Sequence, residues 1–277
     1  MRKPAHGRWQ FLGLLTGVLS LATLPTPASA AQCGGGFQGF IAAFSREAAA
    51  QGISQRTIAT AFTGIEHDGA VLAFDRRQRY TFRKSFEDYV KTRVTAGRLK
   101  RGAQMLTRHA ALFARIEAQF GVPAPILTAI WGLETDFGGD TGKLPVIRVL
   151  ATMAHDCRRT ELFQRELMAA LQIVERGYLR LEEMRGAYAG ELGQTQFLPS
   201  SYLKFAIDYD GDGRPNLIRS APDVLASTAN YLRGYGWKRG APWQEGSENF
   251  EILREWNRAL VYRKTIAHFA GRLAAGR

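Results

Sequence analysis

"AIWGLETDFGG", residues 129–139, places an ionisable carboxyl among apolar residues at the end of a helical run. At about 100° per residue, Leu127, Trp131 and Glu134 share a face beside Ile126, Ile130 and Leu133, so the glutamate extends an apolar stripe. The spacing predicts a helix over 124–136, opened at Pro125 and ended by Gly138 and Gly139. Desolvation on that face disfavours the charged carboxylate and raises its pKa, which suits a general acid near neutrality. Gly132 costs about 1 kcal/mol against alanine in a helix interior, and is expected to leave room there for a backbone or ligand. Asp136 lies about 200° round the helix and is not a partner carboxylate for the same cleft. A structural reading competes: Glu134 as a helix-end residue bridged to an arginine such as Arg148 or Arg158.

Helical periodicity continues along most of the chain, and alternating β-branched runs are scarce. Helices are predicted near 37–51, 54–62, 68–75, 84–92, 96–119, 124–136, 145–154, 160–176, 199–206, 221–234 and 257–274. Ser220 is placed to cap the helix that carries Val224, Leu225, Ala229 and Leu232. The fold class is mainly α, with no internal repeat. "RQRYTFRKSFEDY", residues 77–89, is too aromatic for a free linker, so the N-terminal helices are expected to pack on the rest. "GWKRGAPWQEGSENF", residues 236–250, reads as a long irregular connection into a final helix.

The first 30 residues read as a secretory signal peptide: Arg2, Lys3 and Arg8, an apolar run from Phe11 to Leu24, then Ala28, Ser29 and Ala30 in an A-x-A cleavage pattern. The apolar run is shorter than the roughly 20 residues a membrane span needs. A mature chain from Ala31 is therefore expected in the periplasm, without stable membrane insertion. A lipid anchor on Cys33 is the rival reading, opposed by Gln32 where a lipobox needs a small residue.

Removing those three basic residues, with no acidic residue among the first 30, takes the formal charge from +12 to +9. Such a basic exported protein is drawn to polyanions, the carboxylates of the cell wall among them; solubility explains the charge equally well. No basic arm or nucleic-acid motif accompanies the charge, so nucleic acid is not the expected partner. Two cysteines, Cys33 and Cys157, in an oxidising compartment are expected to pair.

The second informative stretch is "GAYAGELGQTQFLPSSY", residues 186–202. Glycines and small residues let a ligand approach the backbone, and Gln194 and Gln196 offer amides to sugar hydroxyls and acetamides. A tight loop wedged between helices is the bland alternative.

"AIWGLETDFGG", "GELGQTQFLPSSYLKFAIDYDGDG" and "DVLASTANYLRGYGW" together resemble the membrane-bound lytic transglycosylase B family of murein-cleaving enzymes, glycoside hydrolase family 103. The resemblance runs from about Phe37 to Leu273. It implies a lysozyme-like catalytic lobe over 109–240, with an N-terminal helical region over 31–108 and a C-terminal helix packing on the core within 241–277. It further implies cleavage of the MurNAc-GlcNAc β-1,4 bond of peptidoglycan with formation of 1,6-anhydro ends, no cofactor for the chemistry, and glycan strands as the partner; a monomer is the expectation, which the resemblance does not address. Glu134 then matches the single catalytic acid and base, Gln196 a cleft glutamine, Tyr89 and Tyr231 cleft tyrosines, and Asn257 a C-terminal asparagine. Departures from the pattern are Ala187 where a serine is expected, Gln194 and Thr195 ahead of Gln196, and Trp256 ahead of Asn257. A hydrolysing muramidase and a non-catalytic wall-binding protein are the rival functions.

"DYDGDGRPN" opens at Asp208 with D-x-D-x-D-G, the first half of an EF-hand calcium loop, with Asp210, Asp212 and Arg214 at the third, fifth and seventh positions and Gly213 at the turn. Arg219 stands where a bidentate glutamate is expected, and the resemblance implies Asp223 as the distal acid. A structural calcium is the expectation; a solvated turn whose aspartates cap backbone amides is the alternative.

Overall fold

The computed structural model describes residues 31–77 and 85–276, so the expected signal peptide and part of the 77–89 segment lie outside the described residues. The described residues form α1 (Phe37–Ala50), α2 (Gln55–Phe62), α3 (Gly69–Arg77), α4 (Phe86–Arg93), α5 (Ala96–Arg108), α6 (Ala110–Phe120) and α7 (Ala124–Thr135). There follow β1 (Leu144–Pro145), α8 (Val146–His155), α9 (Thr160–Glu175), β2 (Arg185–Gly186), α10 (Pro199–Phe205), α11 (Ala221–Gly234), α12 (Glu248–Trp256) and α13 (Leu260–Ala275). The mainly α fold class holds.

Helix α7 organises the core. Every residue of it except Glu134 is buried, and a helix apolar all round is stable only with neighbours on each side. Those neighbours are α5, α6, α11 and α13. Gly132 serves this packing: a Cβ there would lie 2.7 Å from the Phe137 ring and 3.1 Å from that of Phe269. The expected opening beside the glutamate is thus occupied by two aromatic rings rather than by a ligand. After Thr135 the chain turns through three left-handed residues, Asp136, Phe137 and Gly138, which folds Phe137 back onto the helix.

One expected helix proves divided, and one expected connection carries a helix start. The predicted 96–119 helix breaks at His109, whose φ of −108° and ψ of 22° end α5 and open α6. The connection over 236–250 is less irregular than its glycines suggested, because α12 begins within it. Ser247 caps α12 by accepting the Phe250 N–H at 3.2 Å, and buried Asn249 ties the preceding loop by donating to the Lys238 and Ala241 carbonyls. The final helix starts at Leu260, not at 257.

The N-terminal helices pack on α8 and α9, as expected. Asp75 at the end of α3 pairs with Arg158 and Arg159, Ser54 donates to Glu175 on α9, and a disulfide joins Cys33 to Cys157 across 124 residues with a Cα–Cα distance of 5.2 Å. After α7 in the chain, β1 and β2 pair antiparallel, and bridges from Gly186 to Leu192 and from Leu192 to Phe197 fold the glycine-rich segment into a platform.

Candidate active site

Glu134 lines a cleft of about 320 Å³ whose walls include Gln196, Tyr231, Trp256 and Asn257. Its Oε1 accepts two hydrogen bonds, from Trp256 Nε1 at 2.9 Å and from the Tyr262 hydroxyl at 2.7 Å. Burial pushes the Glu134 carboxyl up to about 7, against those two donors, which favour the charged form; Glu191 adds to the rise and Arg93 opposes it. Burial likewise raises the Tyr262 hydroxyl, and the neighbouring Glu134 charge adds to that, so it stays protonated and remains a donor. Neither Arg148 nor Arg158 bridges Glu134: Arg158 pairs instead with Asp75 and Asp156.

A half-buried carboxyl that titrates near neutrality can give a proton and take one back at the same pH. The fixed donors on one oxygen hold the group in place while the other is left for exchange with a ligand. Residues 36–246 match the family described as Transglycosylase SLT domain.

The chain belongs to this family.

Its relatives agree. Membrane-bound lytic murein transglycosylase B of Escherichia coli (strain K12) is 33% identical over 153 residues, which are 55% of this chain and 42% of that protein. The match therefore spans less than half of the curated relative's length. SltB3 from Pseudomonas aeruginosa, solved in complex with NAG-NAM-pentapeptide, is 30% identical with a TM-score of 0.83, over 88% of this chain and 81% of that one. The soluble lytic transglycosylase SltB1 from Pseudomonas aeruginosa is 26% identical with a TM-score of 0.78, over 86% of this chain and 99% of that one. The SLT-family chain thus has the lysozyme-like α architecture of lytic transglycosylases, with helical additions from both ends.

Within this SLT fold the site residues expected from sequence divide into two sets. Gln196, Tyr231 and Asn257 line the cleft with Glu134. Gln196 has a left-handed φ of 53° and donates through Nε2 to the Gly193 and Thr141 carbonyls, at 2.8 and 3.2 Å. Tyr231 donates its hydroxyl to the Glu255 carbonyl and packs edge-on against Trp256 at 5.0 Å between ring centroids. Asn257 ends α12, and its Oδ1 accepts the Ala259 N–H at 2.9 Å.

Gln194 and Tyr89 are placed differently. Gln194 is 9% exposed; its Oε1 accepts Trp131 Nε1 at 2.9 Å and its Nε2 donates to the Ile218 carbonyl at 3.0 Å. One end of its amide therefore fastens the platform to α7 and the other to the segment before α11, and neither faces a sugar. Tyr89 is 3% exposed and lies behind Tyr262, with ring centroids 6.4 Å apart and Arg93 against its own ring. Asp136, as its position round the helix implied, turns away from the cleft to pair with Arg98 and Arg101.

Sequence reasoning missed Tyr262 and undervalued Trp256, the two donors on the acid. Tyr262 carries no local signal, since it stands on a helix 128 residues away in sequence. Trp256 was legible only as a departure from the family pattern.

In the acidic loop, Asp208, Asp210 and Asp212 each offer an oxygen, all within 4.8 Å of one another. Such a set of carboxylate oxygens fits a hard cation. Asp208 also accepts the Gly211, Asp212 and Gly213 N–H groups. Asp223 stands apart from the cluster: fully buried, it accepts the Tyr209, Asp210 and Asn216 N–H groups and fastens the loop to α11. The guanidinium groups of Arg214 and Arg219 turn toward Glu183, at 4.0 and 3.5 Å.

Proposed function

We propose that this protein is a lytic murein transglycosylase that cleaves the MurNAc-GlcNAc β-1,4 bond of peptidoglycan and leaves 1,6-anhydro-MurNAc ends. The observation that carries the reading is Glu134: the one residue of α7 not buried, opening on a cleft, held by two donors on one oxygen and titrating near 7. The fragment bound in the SltB3 structure is of the same substrate class.

Protonated Glu134 gives its proton to the glycosidic oxygen, and the C1–O bond breaks with the GlcNAc hydroxyl as leaving group. The muramic acid's own acetamide oxygen bonds to C1, forming an oxazolinium ion. The Glu134 carboxylate, stabilised by Trp256 and Tyr262, then removes the proton of the 6-hydroxyl. That oxygen attacks C1, the acetamide is restored, and no water enters. Gln196, Asn257, Tyr231 and Trp256 line the cleft with Glu134, and we assign the two amides to acetamide or hydroxyl groups and the two rings to sugar faces.

Glu191, a second carboxylate lining the cleft, favours one rival: a muramidase in which two acids act with water. Mass spectrometry of products from purified sacculi separates the two. Fragments one water lighter than lysozyme products support the transglycosylase; hydrated ends alone transfer the enzyme to the hydrolases, and an absence of soluble product with retained wall binding makes it a binding protein.

The aspartate cluster is proposed to hold calcium in a structural role, with Asp208, Asp210 and Asp212 as its ligands. The basic charge and the export signal in the sequence support action in the periplasm.

A further inference from the structure

Three further carboxylates line the cleft: Glu166 is bonded to Ser200, Glu255 is exposed, and Glu191 is left without a task. Glu191 lies in the glycine-rich platform, beside the Leu192 that bridges to Gly186 and Phe197, and lines the same cavity as Glu134. It is clamped twice: its Oε2 accepts the Ala189 N–H at 3.0 Å, and its carbonyl accepts the Ala187 N–H at 3.2 Å.

The surroundings of the two acids differ. Glu134 sits in the last turn of α7, where the negative end of the helix dipole disfavours a carboxylate. Glu191 is on no helix; burial raises its carboxyl, and its own and the Ala189 backbone N–H groups, with the Arg159 cation of the same cavity, act against that rise. Two like charges in a low-dielectric cleft do not ionise independently, and the Glu191 charge is one of the causes that raise Glu134.

Other groups near Glu134 are committed or screened. Tyr262 on α13 and Trp256 on α12 are its donors. Tyr89 and Arg93 on α4 lie against one another. On α9, Glu166 is bonded to Ser200, and Arg159 is paired with Asp75. Glu255 on α12 is exposed to solvent.

We propose that Glu191 is a positioning residue for the reaction put forward above: its fixed negative charge across the cleft holds the proton on Glu134 until the glycosidic oxygen arrives. This rests on the transglycosylase reading, but the test reports on Glu191 without turnover.

The experiment is a carbon-13 NMR titration of glutamate side-chain carboxyls, with Glu134→Gln assigning the Glu134 signal. In the wild type that signal should move in two steps, a small one as Glu191 ionises and a large one as Glu134 does. In Glu191→Gln the small step should vanish and the large one fall by about half a pH unit to one unit. Glu191→Asp, which keeps the charge, should restore most of the wild-type midpoint. The alkaline limb of kcat/KM for product release from sacculi should move to acid by the same amount in Glu191→Gln. An unchanged Glu134 midpoint overturns the proposal, as does a uniform loss of activity at every pH with that midpoint unmoved, which makes Glu191 a substrate contact. If Glu191→Gln does not fold, a single-step Glu134 titration in the wild type overturns it alone. A wild type that releases no product defeats the transglycosylase reading and leaves the titration to decide the coupling.

Discussion

Replacing Tyr262 by phenylalanine removes one of the two donors on the Glu134 carboxyl while keeping the buried ring. The hydroxyl donates to Oε1 at 2.7 Å, and a hydrogen bond to a charged group contributes about 1.5–3 kcal/mol. The protonated acid still accepts such a bond, more weakly, so the differential loss is roughly 1–1.5 kcal/mol, or about one pH unit. Glu134, at about 7 in the intact site, should therefore titrate near 8 in Tyr262→Phe. The alkaline limb of the pH profile for product release should move up, opposite in direction to Glu191→Gln. The second step should suffer as well, since the carboxylate that takes the 6-hydroxyl proton is held by one donor instead of two; a fall in kcat of about tenfold corresponds to the same 1.4 kcal/mol. The assay is kcat and kcat/KM on sacculi across pH 5–9 (roughly the window in which a group near neutrality titrates), with near-ultraviolet circular dichroism to show that the fold is kept. A limb that stays in place or moves to acid in a folded variant would refute the reasoning, because the Tyr262 bond would then not favour the charged form.

Glu134→Gln should abolish turnover and alter stability in a pH-dependent way. The folded pKa of Glu134 is raised from 4.5 to about 7, so the native state of the wild type binds the extra proton between those values and loses stability as pH rises through them. The variant should match the wild type near pH 5 and exceed it at pH 8 by about 2 kcal/mol, on the order of the shift reduced for cleft water, as read by urea unfolding; equal stabilities at both pH values would contradict the burial argument. Cys157→Ser opens a loop spanning 124 residues and should cost about 2–4 kcal/mol, with reductant lowering the wild-type melting temperature by a similar amount and leaving the variant unmoved. Millimolar calcium should raise the melting temperature over that in chelator, and Asp210→Asn should remove the difference; no response in the wild type discards calcium at the loop.

The family motifs were legible because each lies within one continuous stretch. The glutamate on an apolar helix, the glycine-rich segment and the Ser220 cap all depend on local spacing, and the structure keeps them. Where the sequence reading failed, the deciding contact was remote. Gly132 looked like an opening, but Phe137 and Phe269 fill it. Gln194 looked like cleft lining, but Trp131 and the Ile218 carbonyl take both ends of its amide. Ser247 was a readable cap for α12, overlooked among the glycines and tryptophans of that connection.

Sequence by itself determined the helical periodicity, the acid and its motif, because hydrophobic spacing and capping act over a few residues and leave their mark in order along the chain. Tertiary structure alone decided what holds that acid. Tyr262 and Trp256 come from helices more than 120 residues away, and a carboxyl's proton affinity follows from the dielectric and the donors around it, which exist only once the chain has closed over Glu134.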